Sequence, residues 1–166
     1  MDGQHKTTIL AGGCFWGVQE ILRSYPGIIK TEVGYTGGER TNPTYEQVCK
    51  GDTGHAEAIK VTYDVDTVSF KDILRYFFRL HNPTTKNQQG NDIGSQYRSA
   101  IFYQTEDEKK EAEEVITEAQ SWPIWKDPIV TTLEPMKPFY SAEKYHQDYL
   151  QKNPGGYSCH FLRPLE

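Results

Sequence analysis

The sequence predicts an α/β or α+β layer fold. Strand-like and helix-like segments alternate along the chain, Gly, Pro, Asn and Asp cluster between them, and neither repeat nor low-complexity tract interrupts the series. Residues 1–166 therefore read as a single domain.

Residues 7–11 form a short strand candidate running into Gly12 and Gly13. A helix follows, because Val18, Ile21, Leu22 and Tyr25 fall at i, i+3, i+4 and i+7, and Pro26-Gly27 stops it. Residues 28–33 read as the next strand. Residues 34–53 are a loop of about twenty residues rich in Gly, Thr, Asn and Pro, a length that usually marks functional or disordered chain. Residues 56–63 alternate as a strand. Ser69 caps a helix whose Phe70, Ile73, Leu74, Phe77 and Phe78 make one apolar stripe.

A second polar loop spans residues 82–97, and a strand spans 99–104. Thr105 and Glu108 form a capping box ahead of a helix that aligns Ala112, Val115, Ile116, Ala119 and Trp122. Residues 129–133 read as a strand and 142–152 as a helix. From about residue 153 the chain carries Pro154, Gly155 and Gly156 and is expected to be a mobile tail.

Composition narrows the function classes. The net charge of −5 argues against binding a phosphate backbone, which needs clustered Lys and Arg. No apolar stretch approaches the ~18 residues of a membrane span, and the polar N-terminus has no signal-peptide core, so a cytoplasmic protein is expected. The eleven tyrosines offer apolar area with a hydroxyl, useful where a pocket holds something small and polar. Cys14, Cys49 and Cys159 are odd in number and irregular in spacing, unlike a secreted disulfide framework. With no CxxC or HExxH, zinc has little support. The cysteines are either inert or redox-active.

Cys14 is the strongest candidate. It lies in Gly12-Gly13-Cys14-Phe15-Trp16-Gly17 between a strand and a helix, in the first turn of that helix. Unpaired N–H groups and the helix dipole favour an anion there, and so favour the reactive thiolate. Phe15 and Trp16 beside the sulfur are candidates for an apolar wall. The bland alternative is a buried cysteine at a tight turn.

Glu57 shares a strand face with Ile59 and Val61, since side chains alternate along a strand. A carboxyl on an apolar face is desolvated and holds its proton, which makes it a general acid. Pattern alone leaves a second reading open, because Glu57 is first on that face and could lean into solvent. Tyr45 and Tyr97 sit in the two loops, where packing lids are as natural as catalytic donors. Asp92 reads as a turn residue, and His55, His81 and His146 as capping or packing residues.

The motifs taken together resemble the methionine sulfoxide reductase A family. Gly13-Cys14-Phe15-Trp16-Gly17 is similar to its active-site motif. The resemblance continues through Gly34-Tyr35-Thr36-Gly37-Gly38, Asn42-Pro43-Thr44-Tyr45, Gly54-His55-Ala56-Glu57-Ala58, His81-Asn82-Pro83-Thr84, Gln96-Tyr97-Arg98-Ser99 and His146-Gln147-Asp148-Tyr149-Leu150. It implies a mixed sheet flanked by helices, related to the ferredoxin-like split βαβ arrangement. Cys14 would be the nucleophile and Glu57 the acid. Tyr45 and Tyr97 would bind the sulfoxide oxygen, Phe15 and Trp16 the S-methyl group, and Asp92 would belong to the same pocket. The implied activity is peptide-methionine (S)-S-oxide reduction with thioredoxin as reductant and no metal or organic cofactor.

Cys159 is the candidate resolving thiol, carried on the Gly-rich tail. The chain has Gly156-Tyr157-Ser158-Cys159-His160 where the commonest family pattern places cysteine directly after Gly-Tyr. Cys49 is an alternative resolver or a bystander. Two other classes compete: a cysteine hydrolase pairing Cys14 with a histidine such as His55, and a non-catalytic peptide-binding module. The expected state is a monomer.

Overall fold

The computed structural model describes residues 4–156 and 160–164. Its strands are β1 (His5–Gly12), β2 (Ile28–Thr36), β3 (Ala56–Asp64), the small pair β4 (Gln88–Gln89) and β5 (Asp92–Ile93), β6 (Ser99–Tyr103), β7 (Thr132–Pro135) and β8 (Tyr140–Ser141). Its α-helices are α1 (Phe15–Leu22), α2 (Tyr45–Cys49), α3 (Phe70–Leu80), α4 (Glu106–Gln120) and α5 (Tyr149–Lys152).

One mixed sheet has the order β7-β6-β1-β3-β2-β8, and β4 pairs with β5 apart from it. Neighbours are antiparallel except β6 and β7. A parallel pair needs a crossover, which α4 supplies. The inner order β6-β1-β3-β2, connected through α1 and α3, is the split βαβ arrangement.

The two sheet faces are unequal. Leu10, Ile59, Val61 and Ile101 join α1, α3 and α4 in the larger core, where Ile73, Leu74, Phe77 and Phe78 of α3 are fully buried. Each such side chain contributes roughly 1.5–3 kcal/mol by leaving water. The other face is small: Ile9, Ala11, Ala56, Ala58, Ala100 and Phe102, with Met136 and Phe139 against it. Ser69 and Asp72 complete the capping box of α3. At α4 only half of that box forms: Thr105 accepts from Glu108 N–H, while the Glu108 carboxylate turns to Gln104 N–H.

Three local expectations change. The loop at 34–53 holds α2, closed by a Thr44–Gln47 capping box. The strand expected at 129–133 is displaced to Thr132–Pro135, because Thr132 pairs with Ala100, while Val130 N–H is taken by Pro83 O. The helix expected at 142–152 is broken into a 3-10 turn, Lys144–His146, and the four-residue α5. Its polar side chains serve other elements instead. Glu143 bonds Tyr35 and Tyr45, Gln147 bonds both backbone groups of Val33, and Asp148 sits at φ 57 with its N–H on Gln19.

Candidate active site

The site begins where β1 stops. A Cβ at Gly12 would lie 2.9 Å from Phe77 and one at Gly13, whose φ is +95, would lie 2.6 Å from Gln89. Only glycines let the strand end pack this closely and turn at once into α1. Cys14 is the N-cap of α1, one position ahead of the expected first turn, because its ψ of 121 is not helical. Its side chain makes no capping bond. Cys14 is 7% exposed, so its surface is nearly closed but still reachable.

The first N–H of the helix goes instead to a carboxylate oxygen: Phe15 N–H donates to Glu57 Oε1 at 3.2 Å. Glu57 therefore lies against the backbone that follows the cysteine. It is 1% exposed, with Oε2 lacking a hydrogen-bond partner among the described residues. Burial pushes its carboxyl up to about 8, opposed by the Phe15 N–H and assisted by the Asp92 charge. The fraying alternative for Glu57 is excluded by that burial. The β2–β3 register, which sets Tyr35 opposite Glu57, fixes which face the carboxyl occupies.

An aromatic wall is built on the two residues that follow the cysteine. Phe15 packs against Tyr35 at 5.7 Å, Tyr45 at 6.5 Å and His146 at 5.3 Å between ring centres. Trp16 stacks on Tyr149 at 3.9 Å, and its Nε1–H donates to His146 Nδ1 at 2.9 Å. His146 is thus more than packing. Its ring orients Trp16, and as Nδ1 accepts, the neutral ring carries its proton on Nε2. Nothing in the local pattern around residue 146 signals this role, because the bond spans 130 positions. Glu143 is a second residue that the sequence conceals. Its carboxylate accepts from Tyr35 Oη–H and Tyr45 N–H, tying the aromatic wall to the segment between β8 and α5.

Tyr45 opens α2, and Tyr97 closes a 3-10 turn, Ser95–Tyr97. Both phenols are held well above the ordinary tyrosine range, by burial first and then by Glu57, and so remain protonated donors. Cys49, Asp92 and Cys14 also lie near enough to raise Tyr97. The structure therefore brings Cys14, Phe15, Trp16, Glu57, Tyr45, Tyr97 and Asp92 to one place, with half-buried Asp92 entering from β5. Cys49 is exposed as a residue, with Tyr45 and Tyr97 close enough to its thiol to favour ionisation. Burial of the group opposes this more strongly and raises the thiol, which makes it a weak nucleophile. Cys159 lies outside the described residues.

His55 and His81 are occupied. His55 Nδ1 accepts from Gly38 N–H and its Nε2 reaches Arg40 O, so both nitrogens staple the 38–40 segment. That removes the base a His55-dependent hydrolase requires. His81 lies under Gly12 between Phe77 O and Ser99. Four surface hollows, one of about 620 Å³ between His5–Thr7 and the start of α4, are not lined by Cys14.

Residues 6–165 match the family model described as peptide methionine sulfoxide reductase. A relative named peptide methionine sulfoxide reductase MsrA, from Mycobacterium sp. (strain JLS), is 49% identical over 160 residues, 96% of this chain and 91% of the relative. Among solved structures, reduced Mxr1 from Saccharomyces cerevisiae superposes with a TM-score of 0.91 at 42% identity, covering 97% of this chain and 93% of that one. Mxr1 in complex with Trx2 matches with a TM-score of 0.66 at 29% identity, covering 97% and 91%.

Proposed function

The chain belongs to the peptide methionine sulfoxide reductase family, and from that premise we propose that Cys14 and Glu57 together reduce the S epimer of methionine sulfoxide to methionine. One observation carries the assignment of roles. Glu57 Oε1 is held by the N–H next to Cys14, which leaves a buried, proton-bearing Oε2 with no partner among the described residues.

The chemistry needs that pairing. Sulfoxide sulfur is a poor electrophile until its oxygen is protonated or strongly hydrogen-bonded. An anionic nucleophile and a neutral acid must therefore stand side by side without neutralising each other. The Cys14 thiolate attacks the sulfoxide sulfur while Glu57 delivers its proton to the oxygen, assisted by the hydroxyls of Tyr45 and Tyr97. The attack joins the Cys14 sulfur to the substrate sulfur. The protonated oxygen then passes from the substrate sulfur to the Cys14 sulfur as that S–S bond and the substrate S–O bond break, so methionine leaves and Cys14 is left as a sulfenic acid. Methionine sulfoxide gains two electrons and the Cys14 sulfur loses two. The proton that Cys14 gave up on ionising restores Glu57. Phe15 and Trp16 hold the S-methyl group, and fixed methyl and oxygen sites admit one epimer.

Recycling follows by condensation of the sulfenic acid with the Cys159 thiol. The sulfenic S–O bond breaks as the S–S bond forms, and the oxygen leaves as water. Thioredoxin then reopens the disulfide by exchange, a reading supported by the relative described in complex with Trx2. Free and protein-bound methionine sulfoxide are both substrates in this reading. We read the chain as a single catalytic domain acting as a cytoplasmic monomer; no helix of the described residues is long and apolar enough to cross a membrane.

The test is incubation of native protein and Cys14→Ser with a methionine S-sulfoxide peptide and dithiothreitol. Reductant-dependent methionine, absent in the variant, is expected; methionine formed by Cys14→Ser would overturn the assignment. Peptide mapping without reductant after one turnover reads the recycling arm. A Cys14–Cys159 cross-link is expected, and its absence removes Cys159 from the cycle.

A further inference from the structure

Past residue 159 the chain is fastened at two points. His160 Nε2 bonds the Gly12 carbonyl at 2.7 Å, two residues before Cys14. A carbonyl only accepts, so Nε2 carries the proton and the ring is neutral; burial keeps it so by lowering its pKa to about 4. Three residues on, Arg163 N–H donates to Arg79 O at 2.9 Å and Arg79 Nε–H returns to Arg163 O at 2.8 Å. The Arg163 guanidinium also lies over Trp125 and Phe161. The first fastening therefore sits on the strand end that carries the nucleophile, and the second on the last turn of α3.

We propose that His160 is a positioning residue for recycling: its bond to Gly12 fixes the chain one peptide unit after the resolving cysteine against the strand end that leads into Cys14. The proposal rests on the reading of Cys159 as resolver. Its physical basis is effective concentration. A thiol on a short flexible tail meets an internal partner at roughly millimolar effective concentration. Disulfide formation further requires the two Cα atoms to come within ~4.4–6.8 Å. Consecutive Cα atoms are ~3.8 Å apart, so an anchor at residue 160 on the Gly12 carbonyl, two residues before Cys14, narrows the search that a free tail makes. Before the cysteine the chain is open only at Gly155, where an added Cβ would meet nothing within 4 Å, while Gly156 is held by its N–H on Asn153 O.

The polar anchor matters more than packing, which separates the proposal from a structural one. Glutamine can present an amide N–H to Gly12 O, whereas leucine fills space and donates nothing. Native protein, His160→Leu and His160→Gln are mixed with one equivalent of a methionine S-sulfoxide peptide without reductant. Methionine release, dimedone-trapped sulfenic acid and the Cys14–Cys159 disulfide are followed in time. His160→Leu is expected to release methionine at the native rate while its sulfenic acid persists at least tenfold longer, with His160→Gln restoring most of the disulfide rate. Disulfide formation at the native rate in His160→Leu overturns the proposal. So does methionine release slowed as much as disulfide formation, or a His160→Gln protein no better than His160→Leu. Cys159→Ser is the control on the premise: if its sulfenic acid clears at the native rate, the resolver reading fails, whatever His160 does.

Discussion

Phe15 N–H donates to Glu57 Oε1 at 3.2 Å, and this single bond joins the start of α1 to the start of β3 across 42 residues of chain. It accounts for how a carboxyl can be buried next to a cysteine at a helix N-terminus. One oxygen is held by the backbone, and the other keeps the proton that water would otherwise remove. Desolvation outweighs the stabilising N–H, so the group stays neutral up to about pH 8.

The first prediction concerns rate. Methionine formation in a first turnover should fall as pH rises through about 8, because the acid loses its proton. Glu57→Gln should lose that alkaline limb and slow the step by roughly 10²- to 10⁴-fold, the usual worth of general acid catalysis. Rapid-quench measurement across the alkaline range reads both. A native rate flat through that limb removes Glu57 as the acid.

The same residue sets a stability prediction. The native state keeps the Glu57 proton up to about 8, whereas an unfolded glutamate releases it near 4.5. Between those values the unfolded chain binds fewer protons, so stability declines as pH rises. Glu57→Gln keeps an acceptor for Phe15 N–H and carries no charge. It should therefore exceed native stability near pH 8 by on the order of 1–3 kcal/mol, read by urea unfolding. An inactive but more stable enzyme is the expected outcome; equal stability would mean that the carboxyl is hydrated in solution.

Tyr45 and Tyr97 stay protonated because burial and the neighbouring Glu57 both oppose their ionisation. Each can donate to a sulfoxide oxygen without competing for the proton of Glu57. Replacing one by Phe should cost roughly tenfold in kcat/KM, the worth of one hydrogen bond of about 1.4 kcal/mol, and replacing both should cost more than either alone. Steady-state kinetics of the two single variants and the double variant check this. Neither hydroxyl touches the oxygen if the double variant runs at native speed.

How much of this is legible in the sequence depends on the distance between cause and effect along the chain. The cap at Ser69, the apolar stripe of α3 and the shared face of Glu57, Ile59 and Val61 are local patterns, and all stand in the structure. The break within 142–152 has no such local sign. Its apparent helix is undone by Glu143, Gln147 and Asp148 bonding to Tyr35, Val33 and Gln19, more than a hundred positions away. The role of His146 is hidden for the same reason: it exists only once Trp16 is beside it. Local periodicity cannot express a bond whose partner is supplied by topology.

That bond carries a prediction of its own. His146→Leu leaves Trp16 Nε1–H without its acceptor and frees the indole to turn on Tyr149. The variant should raise KM more than it lowers kcat, because the wall that binds methyl is displaced while Cys14 and Glu57 keep their places. His146→Asn, which can still accept from Trp16, should recover part of the loss. Kinetics on a methionine S-sulfoxide peptide decide, and an unchanged KM in His146→Leu would assign the Trp16 bond to folding alone.

The last prediction concerns acid. His81 is fully buried beneath Gly12, where a Cβ would lie 3.3 Å from its ring. Its Nδ1–H donates to Phe77 O, so Nε2 must accept from Ser99 Oγ–H, and Ser99 in turn accepts from Thr131. The neutral ring satisfies every bond in that chain. Burial accordingly lowers its pKa from 6.5 to about 3, while an unfolded histidine still takes up a proton near 6.5. As pH falls below 6.5 the unfolded chain binds the extra proton, so the contribution is complete above that value and is lost progressively toward 3. The loss should reach on the order of 3–5 kcal/mol, since each tenfold difference in proton affinity between folded and unfolded chain is worth about 1.4 kcal/mol. His81→Gln should be less stable at neutral pH and flatter across the acid window, in urea unfolding followed at several pH values. Parallel curves for native and variant would show that another group drives the acid loss. The strand end carrying Gly12 and Gly13 rests on this ring, so acid should disorder the approach to Cys14 as the His81 contribution disappears.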